Sequence, residues 1–198
     1  MYPKALKNLI ESFKLLPGIG EKSAERLALF TLNMDEENAL FFSDSIKNAV
    51  SELHKCQICN NITDQDVCQI CQGDSRDIEK LCIVEDVKSL YMFEKSGVYN
   101  GYYYILDNLI SPLDGINPED IGIEKLIKFI KNKKFKEIII AVKPSIEGET
   151  TSLYIKRILE DSNLKITRIA SGIPIGADIE YIDSLTLERA LHDRKEIE

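Results

Sequence analysis

Cys56, Cys59, Cys68 and Cys71 form two identical CQIC quartets separated by the eight residues NNITDQDV. Tetrahedral zinc needs four thiolates converging at about 2.3 Å from one point. A two-residue gap lets a knuckle turn present both sulfurs of a pair, and eight residues suffice for a short hairpin that brings the pairs together. All four ligand positions are filled, so no place remains for an activated water and the ion is expected to be structural. Redox or disulfide pairs are the competing reading, disfavoured without a secretory leader. Cys82 lies in an apolar run and reads as a buried thiol. His54 stands beside the knuckle, where four cysteines already suffice, and His192 sits in a charged terminal helix with no visible partner. No Cys/His or Ser/His constellation supports nucleophilic catalysis.

A second chemistry-bearing stretch runs from Leu16 to Phe30, LPGIGEKSAERLALF. Gly18 and Gly20 free the backbone to turn, and their N–H groups, with the start of the following helix, offer a site for a phosphate oxygen. Lys22 and Arg26 are four residues apart, hence on one helix face, where they can flank that phosphate. Ser23 adds a hydroxyl. Such a corner contacts backbone only and would bind DNA without reading sequence. Glu21 and Glu25 dilute the charge. The bland alternative is a helical hairpin whose PGIG is only a turn.

These groups need elements to hold them. Ala5, Leu6, Leu9, Ile10 and Phe13 recur at helical spacing, and Pro17 ends that helix near Leu16. Ala24, Leu27, Ala28 and Leu32 mark a second helix. A third runs from Asp35, an N-cap, past Leu40, Phe41, Ala49 and Val50 to Leu53. The three are expected to form a compact helical unit. Residues 55–77 carry few large apolar side chains and cannot build a core unaided. Beyond Leu81 the β-rich runs LCIVED, YYYILD, EIIIAV and KITRIA alternate with the helical stretches VKSLYMFEKS, IEKLIKFIKN and GETTSLYIKRILED, and a last helix covers TLERALHDRK. That alternation predicts a parallel α/β sheet.

The chain of 198 residues is 44% hydrophobic and 29% charged, with a formal net charge of -8. Its length fits one large domain or two small ones. The acidic balance excludes a protein that coats nucleic acid everywhere, but leaves room for a local basic patch. Apolar runs are far shorter than a membrane helix needs, and the start MYPKALKNLIESFK lacks a signal peptide's apolar stretch. A cytoplasmic, nucleoid-associated protein is expected.

With these parts in order, the chain resembles the RecR family of bacterial recombination mediators over nearly its whole length. The resemblance is carried by LPGIGEKSAERLA, the paired CQIC knuckle with Ser75-Arg76-Asp77, LCIVED, YYYILDNLISPLDGI, PSIEGETTSLYI, TRIASGIPIGADIEYID and TLERAL. It implies an α+β, multi-part fold: a helix-hairpin-helix DNA-binding region over 1–54, a four-cysteine zinc finger over 55–78, an α/β Toprim domain with a parallel sheet over 79–175, and a C-terminal segment over 176–198 serving oligomerisation. It also implies a homo-oligomer, a dimer or tetrameric ring, that binds DNA without sequence preference. Such a mediator works with RecO, and in some settings RecF, to help load RecA onto single strands. The family ties the positions of Lys22 and Arg26 to DNA binding.

Toprim enzymes place a glutamate at the end of the first strand and an Asp-x-Asp pair after a later one, because Mg²⁺ wants hard oxygen ligands. Glu85 matches the first position, but EIIIAV is followed by Lys143-Pro144-Ser145 and no Asp-x-Asp. A lysine there repels a divalent cation. Glu147 and Glu149, with Glu85, are expected to form an acidic surface for a basic partner, RecO by resemblance. Two other readings stand beside it: weak Mg²⁺ binding by the three, and Glu149 merely supporting its helix start. The chain departs from the family pattern at Tyr103, Asp107-Asn108 and Lys143. The expected function is a non-catalytic mediator. The alternatives are a metal-dependent Toprim nuclease or strand breaker, for which no tyrosine stands out as nucleophile, and an adaptor without DNA contact.

Overall fold

The structure is a computed structural model that describes residues 2–194 and Glu196. The chain divides into two compact units, the first ending at Leu53 and the second beginning at His54.

In the first unit, α1 (Lys4–Lys14) and α2 (Glu21–Thr31) pack as a hairpin around Ile10, Ala24 and Ala28, joined by Leu6, Leu9, Phe13 and Ile19. Ala24 and Ala28, wholly buried and four residues apart, present only methyl groups, so the helix backbones approach closely. The connection is fixed by its residue types. The Leu16 carbonyl accepts from the Ile19 N–H at 3.2 Å, and Gly18 lies at φ +80°. Proline followed by a positive-φ glycine is the signature of a type II turn. The third helix, α3 (Glu36–Glu52), is capped as expected: the Asp35 carboxylate accepts from the Asn38 N–H at 2.7 Å. It does not join the core. No α3 residue is buried; Leu40, Phe41, Ile46 and Val50 face solvent, Val50 with 81% of its surface. The unit thus holds all three helices, but its core is built by α1 and α2 alone, and the stripe on α3 finds no cover among the described residues.

The second unit holds a two-stranded ribbon, β1 (His54–Lys55) and β2 (Ile62–Thr63), a short helix α4 (Gln69–Gln72), and a four-stranded sheet. The sheet strands are β3 (Asp77–Val84), β4 (Gly101–Ile105), β5 (Glu137–Ala141) and β6 (Lys165–Arg168), in the order β4-β3-β5-β6 and parallel throughout. Helix α5 (Val87–Ser96) follows β3, α6 (Ile123–Asn132) and α7 (Ile146–Ile158) flank β5, and α8 (Ser184–His192) is the last helix. The expected final helix ran on to Lys195, which lies outside the described residues.

Strand alternation sorts the side chains into two layers. Leu81, Ile83, Tyr102, Tyr104, Ile138 and Ile140 face one way, into the core built with Leu126, Phe129, Ile130 and Ile155 of α6 and α7. Cys82, Val84, Tyr103, Ile105 and Ala141 face the other, against Leu90 of α5 and the buried cysteines of the quartets. The cysteine-rich segment thus borrows a core from the back of the sheet. Arg76 ties this layer together with a two-pronged pair to Glu94 of α5, at 2.8 and 2.6 Å, and holds the Glu94 carboxyl below its usual range. No helix is long and apolar enough to cross a membrane.

Candidate metal centre and interaction sites

The four cysteine sulfurs lie within 4.8 Å of one another, and Cys56, Cys59 and Cys68 are buried. Cys59 Sγ and Cys68 Sγ are 3.5 Å apart, close to the separation of about 3.8 Å that a regular tetrahedron with 2.3 Å zinc–sulfur bonds requires. Backbone N–H groups of Ile58 and Cys68 point at Cys56 Sγ, at 3.4 and 3.3 Å, as donors do toward a thiolate. Four sulfurs this close cannot all carry charge on their own. Hydrogen bonds from its neighbours pull the Cys68 thiol far down, while the same contacts push Cys59 and Cys71 up. A dipositive ion removes that conflict, so the donor set fits one structural zinc. Asn60 turns the first knuckle at φ +64°, returning its N–H to the Cys56 carbonyl at 3.2 Å. The hairpin expected between the pairs is placed differently: β1 precedes the first pair and β2 follows it, so the ribbon encloses Cys56 and Cys59.

The sheet and α6 grip the knuckle at three points. Cys59 O accepts from the Ile105 N–H at 2.9 Å, and the Asn60 amide donates to Ile105 O at 2.9 Å. Lys125 of α6 reaches in to Cys56 O at 3.3 Å and to Asn60 Oδ1. Its ammonium offsets the surplus negative charge of a zinc tetrathiolate and fixes the turn that presents two ligands. Lys125→Met, which keeps the stem, should release zinc to a chromophoric chelator about tenfold faster, with Lys125→Arg restoring the rate. Equal release by Lys125→Met and wild type would remove Lys125 from the support of the site.

In the glycine corner, Gly20 caps α2 without a side-chain bond, leaving the first N–H groups of the helix to solvent or a ligand. Lys22 and Arg26 are placed on this helix with Ser23 half-buried between them. The two diluting acids are occupied: Glu21 meets Lys14 at 2.8 Å, and Glu25 accepts from the Tyr2 hydroxyl. Among the described residues, neither Lys22 nor Arg26 makes an ion pair.

A cleft of about 510 Å³ opens at the carboxyl ends of β3 and β5, lined by Glu85, Asp86, Asp107, Asp114, Lys143 and Glu147 among others. Because β3 and β4 run one way across the sheet and β5 returns on the other side of β3, this is the point where ligands settle in open α/β sheets. Lys143 bridges it: Nζ meets Glu85 Oε1 at 3.0 Å and the Lys143 N–H donates to Glu85 Oε2 at 3.3 Å, and the Glu85 carboxylate raises the Lys143 pKa. Glu147 accepts from the Ser145 hydroxyl at 2.6 Å, which lowers its own. Glu149 does not join them. It pairs with Arg168 in a neighbouring pocket of about 330 Å³ that includes Arg189 and Ser152. The three glutamates thus divide between two pockets, and the α7 cap is Ser145, whose Oγ accepts from the Gly148 N–H at 3.2 Å. Of the departing positions, Tyr103 is buried against the knuckle side, while Asp107 lines the cleft and pairs with Lys55. His192, for which the sequence shows no partner, meets Asp193 at 2.9 Å.

A two-helix corner built on LPGIG, a four-thiolate knuckle and a parallel sheet with a cleft at its switch point follow one another along the chain, and their matches to known families define a DNA-binding protein of recombinational repair. Four family models match in succession: the RecR helix-hairpin-helix over residues 6–50, the RecR four-cysteine zinc finger domain over 53–72, the Toprim domain over 79–170 and the RecR C-terminal domain over 172–195. The chain belongs to the RecR family.

Proposed function

We propose that this protein is a non-catalytic mediator that binds DNA through Gly18, Gly20, Lys22, Ser23 and Arg26, assembles with itself as a dimer or tetrameric ring, and works with RecO, and in some settings RecF, to help load RecA onto single-stranded DNA in the nucleoid. The observation that carries the reading is the corner: two cations without an ion pair among the described residues flank an uncapped helix start whose own acids are engaged elsewhere. One such corner binds weakly, and several copies in one assembly raise effective concentration. The bare stripe of α3, with Leu40, Phe41, Ile46 and Val50 in water, supports self-association. Glu85, Glu147 and the aspartates beside them supply the charge a basic partner such as RecO would meet, and Glu149 sits next to them on the same helix as Glu147.

Against catalysis stand Lys143, a built-in cation paired with the one glutamate that matches a Toprim ligand, and the placing of the tyrosines. None lines either pocket, and burial pushes the phenols of Tyr99, Tyr103 and Tyr104 up, away from nucleophilic phenolate. Fluorescence anisotropy with labelled single-stranded DNA at several salt concentrations tests the reading. Lys22→Ala with Arg26→Ala should lose tenfold or more in affinity at low salt and flatten the salt slope by about 1.4, at about 0.7 per phosphate contact, with zinc content and mass unchanged. Binding equal to wild type would move the function to an adaptor role.

A further inference from the structure

Between Lys125 and Lys136 the chain carries Lys125, Lys128, Lys131, Lys133, Lys134 and Lys136 with no acidic residue, in a protein whose net charge is -8. We propose that Lys128, Lys131 and Lys134 form a second DNA-backbone contact, on the α/β unit and separate from the glycine corner. The proposal shares its ligand with the reading above but none of its residues.

The buried face of α6 is set by Ile123, Leu126, Phe129 and Ile130. That turns Lys128 and Lys131, three apart on the opposite side, into neighbours in solvent. Phe135 is buried edge-on against Phe129, with ring centroids 5.5 Å apart, and against Tyr102, at 6.1 Å. Lys133 lies over the Tyr102 ring at 4.9 Å. The loop that follows the helix is pinned by these contacts, and Lys134 stands exposed in it, three residues beyond Lys131.

Their spacing sets them apart, since Lys88, Lys95 and Lys156 also make no ion pair among the described residues but stand seven or more positions from one another. Lys55, Lys80, Lys136, Lys143 and Lys165 each meet a carboxylate. Among the described residues, Lys128, Lys131 and Lys134 meet none, although the chain has 33 acidic residues from which to supply one. Adjacent unpaired ammonium groups repel, and a polyanion relieves that repulsion while releasing its own counterions.

The surroundings choose the class of polyanion. The large apolar side chains exposed nearest in sequence are Leu113 before this region and Ile146 after it; α6 and its loop expose none. A membrane-seeking helix needs an apolar face to insert, and a protein interface needs aromatic or aliphatic anchors. The exposed charges here are Lys128 and Lys131, diluted by Glu124 one turn before Lys128, with Lys134 beyond them; a face that stays net positive suits a phosphate backbone, read by charge and without sequence.

The test is anisotropy with a labelled single-stranded oligonucleotide, using the full-length chain. One variant carries Lys128→Gln, Lys131→Gln and Lys134→Gln, since glutamine keeps helix propensity. A control variant carries Lys88→Gln, Lys95→Gln and Lys156→Gln, three exposed lysines elsewhere in the same unit with the same change in net charge. The first variant should lose tenfold or more in affinity at low salt and flatten the salt slope by about 2, at about 0.7 per contact, with its melting temperature and mass unchanged. The control should stay within about twofold of wild type. Equal losses in both, which would show a long-range effect of net charge only, or no loss in the first, would overturn the proposal. The Lys22→Ala/Arg26→Ala variant measured alongside separates the two contacts. Loss there with none in the α6 variant leaves the corner reading and removes this one, and the converse does the reverse.

Discussion

Removing zinc, by chelation or by Cys56→Ser, is expected to unfold the segment from His54 to Gln72 and strip the back of the sheet. Apart from its cysteines, the segment brings only Ile58, Val67 and Ile70 to the shared core. Each returns about 2 kcal/mol on burial, while each ordered residue costs about 1 kcal/mol or more in backbone entropy. The metal closes that gap: apparent binding free energies of structural zinc reach about 10–16 kcal/mol, as large as the whole stability of an ordinary domain. The damage should have a direction. Hydrogen exchange should rise through the knuckle and at the Ile105 N–H, whose partner is Cys59 O. Leu81, Ile83, Tyr104 and Ile138 pack on the far face with α6 and α7, so their amides should keep most of their protection. Zinc content should fall to near zero and the melting temperature should drop. A Cys56→Ser protein that keeps its zinc, melting temperature and assembly would refute a structural metal.

That directionality rests on a feature which the sequence shows only in part. The cysteine spacing announces the zinc, and the alternation of LCIV and YYYI announces a strand with two faces. Nothing in either run says that its second and fourth residues, Cys82 and Val84 in one and Tyr103 and Ile105 in the other, would be roofed by the knuckle. That is a long-range pairing, written in the sum of two separately ordinary patterns. Lys125 escapes a sequence reading for the same reason: it looks like one more solvated lysine on an amphipathic helix, and its bond to Cys56 O spans 69 positions. Local signals carry further. Pro17-Gly18 and Asp35 each prescribe their own turn or cap within four residues, and both appear as their chemistry dictates. The helical stripe of α3 is equally legible, but periodicity states that a face is apolar without naming what covers it. In the cleft, the absence of Asp-x-Asp and the presence of Lys143 are plain. The partition of Glu147 from Glu149 is not, because it depends on where α7 begins: two residues earlier than GETTSLYIKRILED reads, at Ile146.

The glycine between those glutamates should be the position in the α/β unit least tolerant of a methyl group. A Cβ on Gly148 would lie 1.9 Å from the Lys143 carbonyl oxygen and 3.2 Å from the carbonyl carbon, both backbone atoms. In an open helix, Gly→Ala gains up to about 1 kcal/mol from propensity. Here the gain is outweighed, because a contact that short cannot be met by turning a side chain and forces the chain apart, at about 3 kcal/mol or more. The Lys143 carbonyl also accepts the Ser145 N–H at 2.9 Å, so the turn that caps α7 moves with it. Gly148→Ala should therefore lower the melting temperature by about 4–12 °C for a domain of this size. It should also loosen the Lys143–Glu85 pair, which holds the lysine of the cleft in place. Zinc content should not change, nor should the DNA binding proposed for the corner, which belongs to the other unit. A variant as stable as wild type would show that α7 can start farther from the β5 end than it does here. The separation of Glu147 into one pocket and Glu149 into the next would then be a matter of helix register and not of packing, since it is the close approach at Gly148 that wedges the helix start between the two.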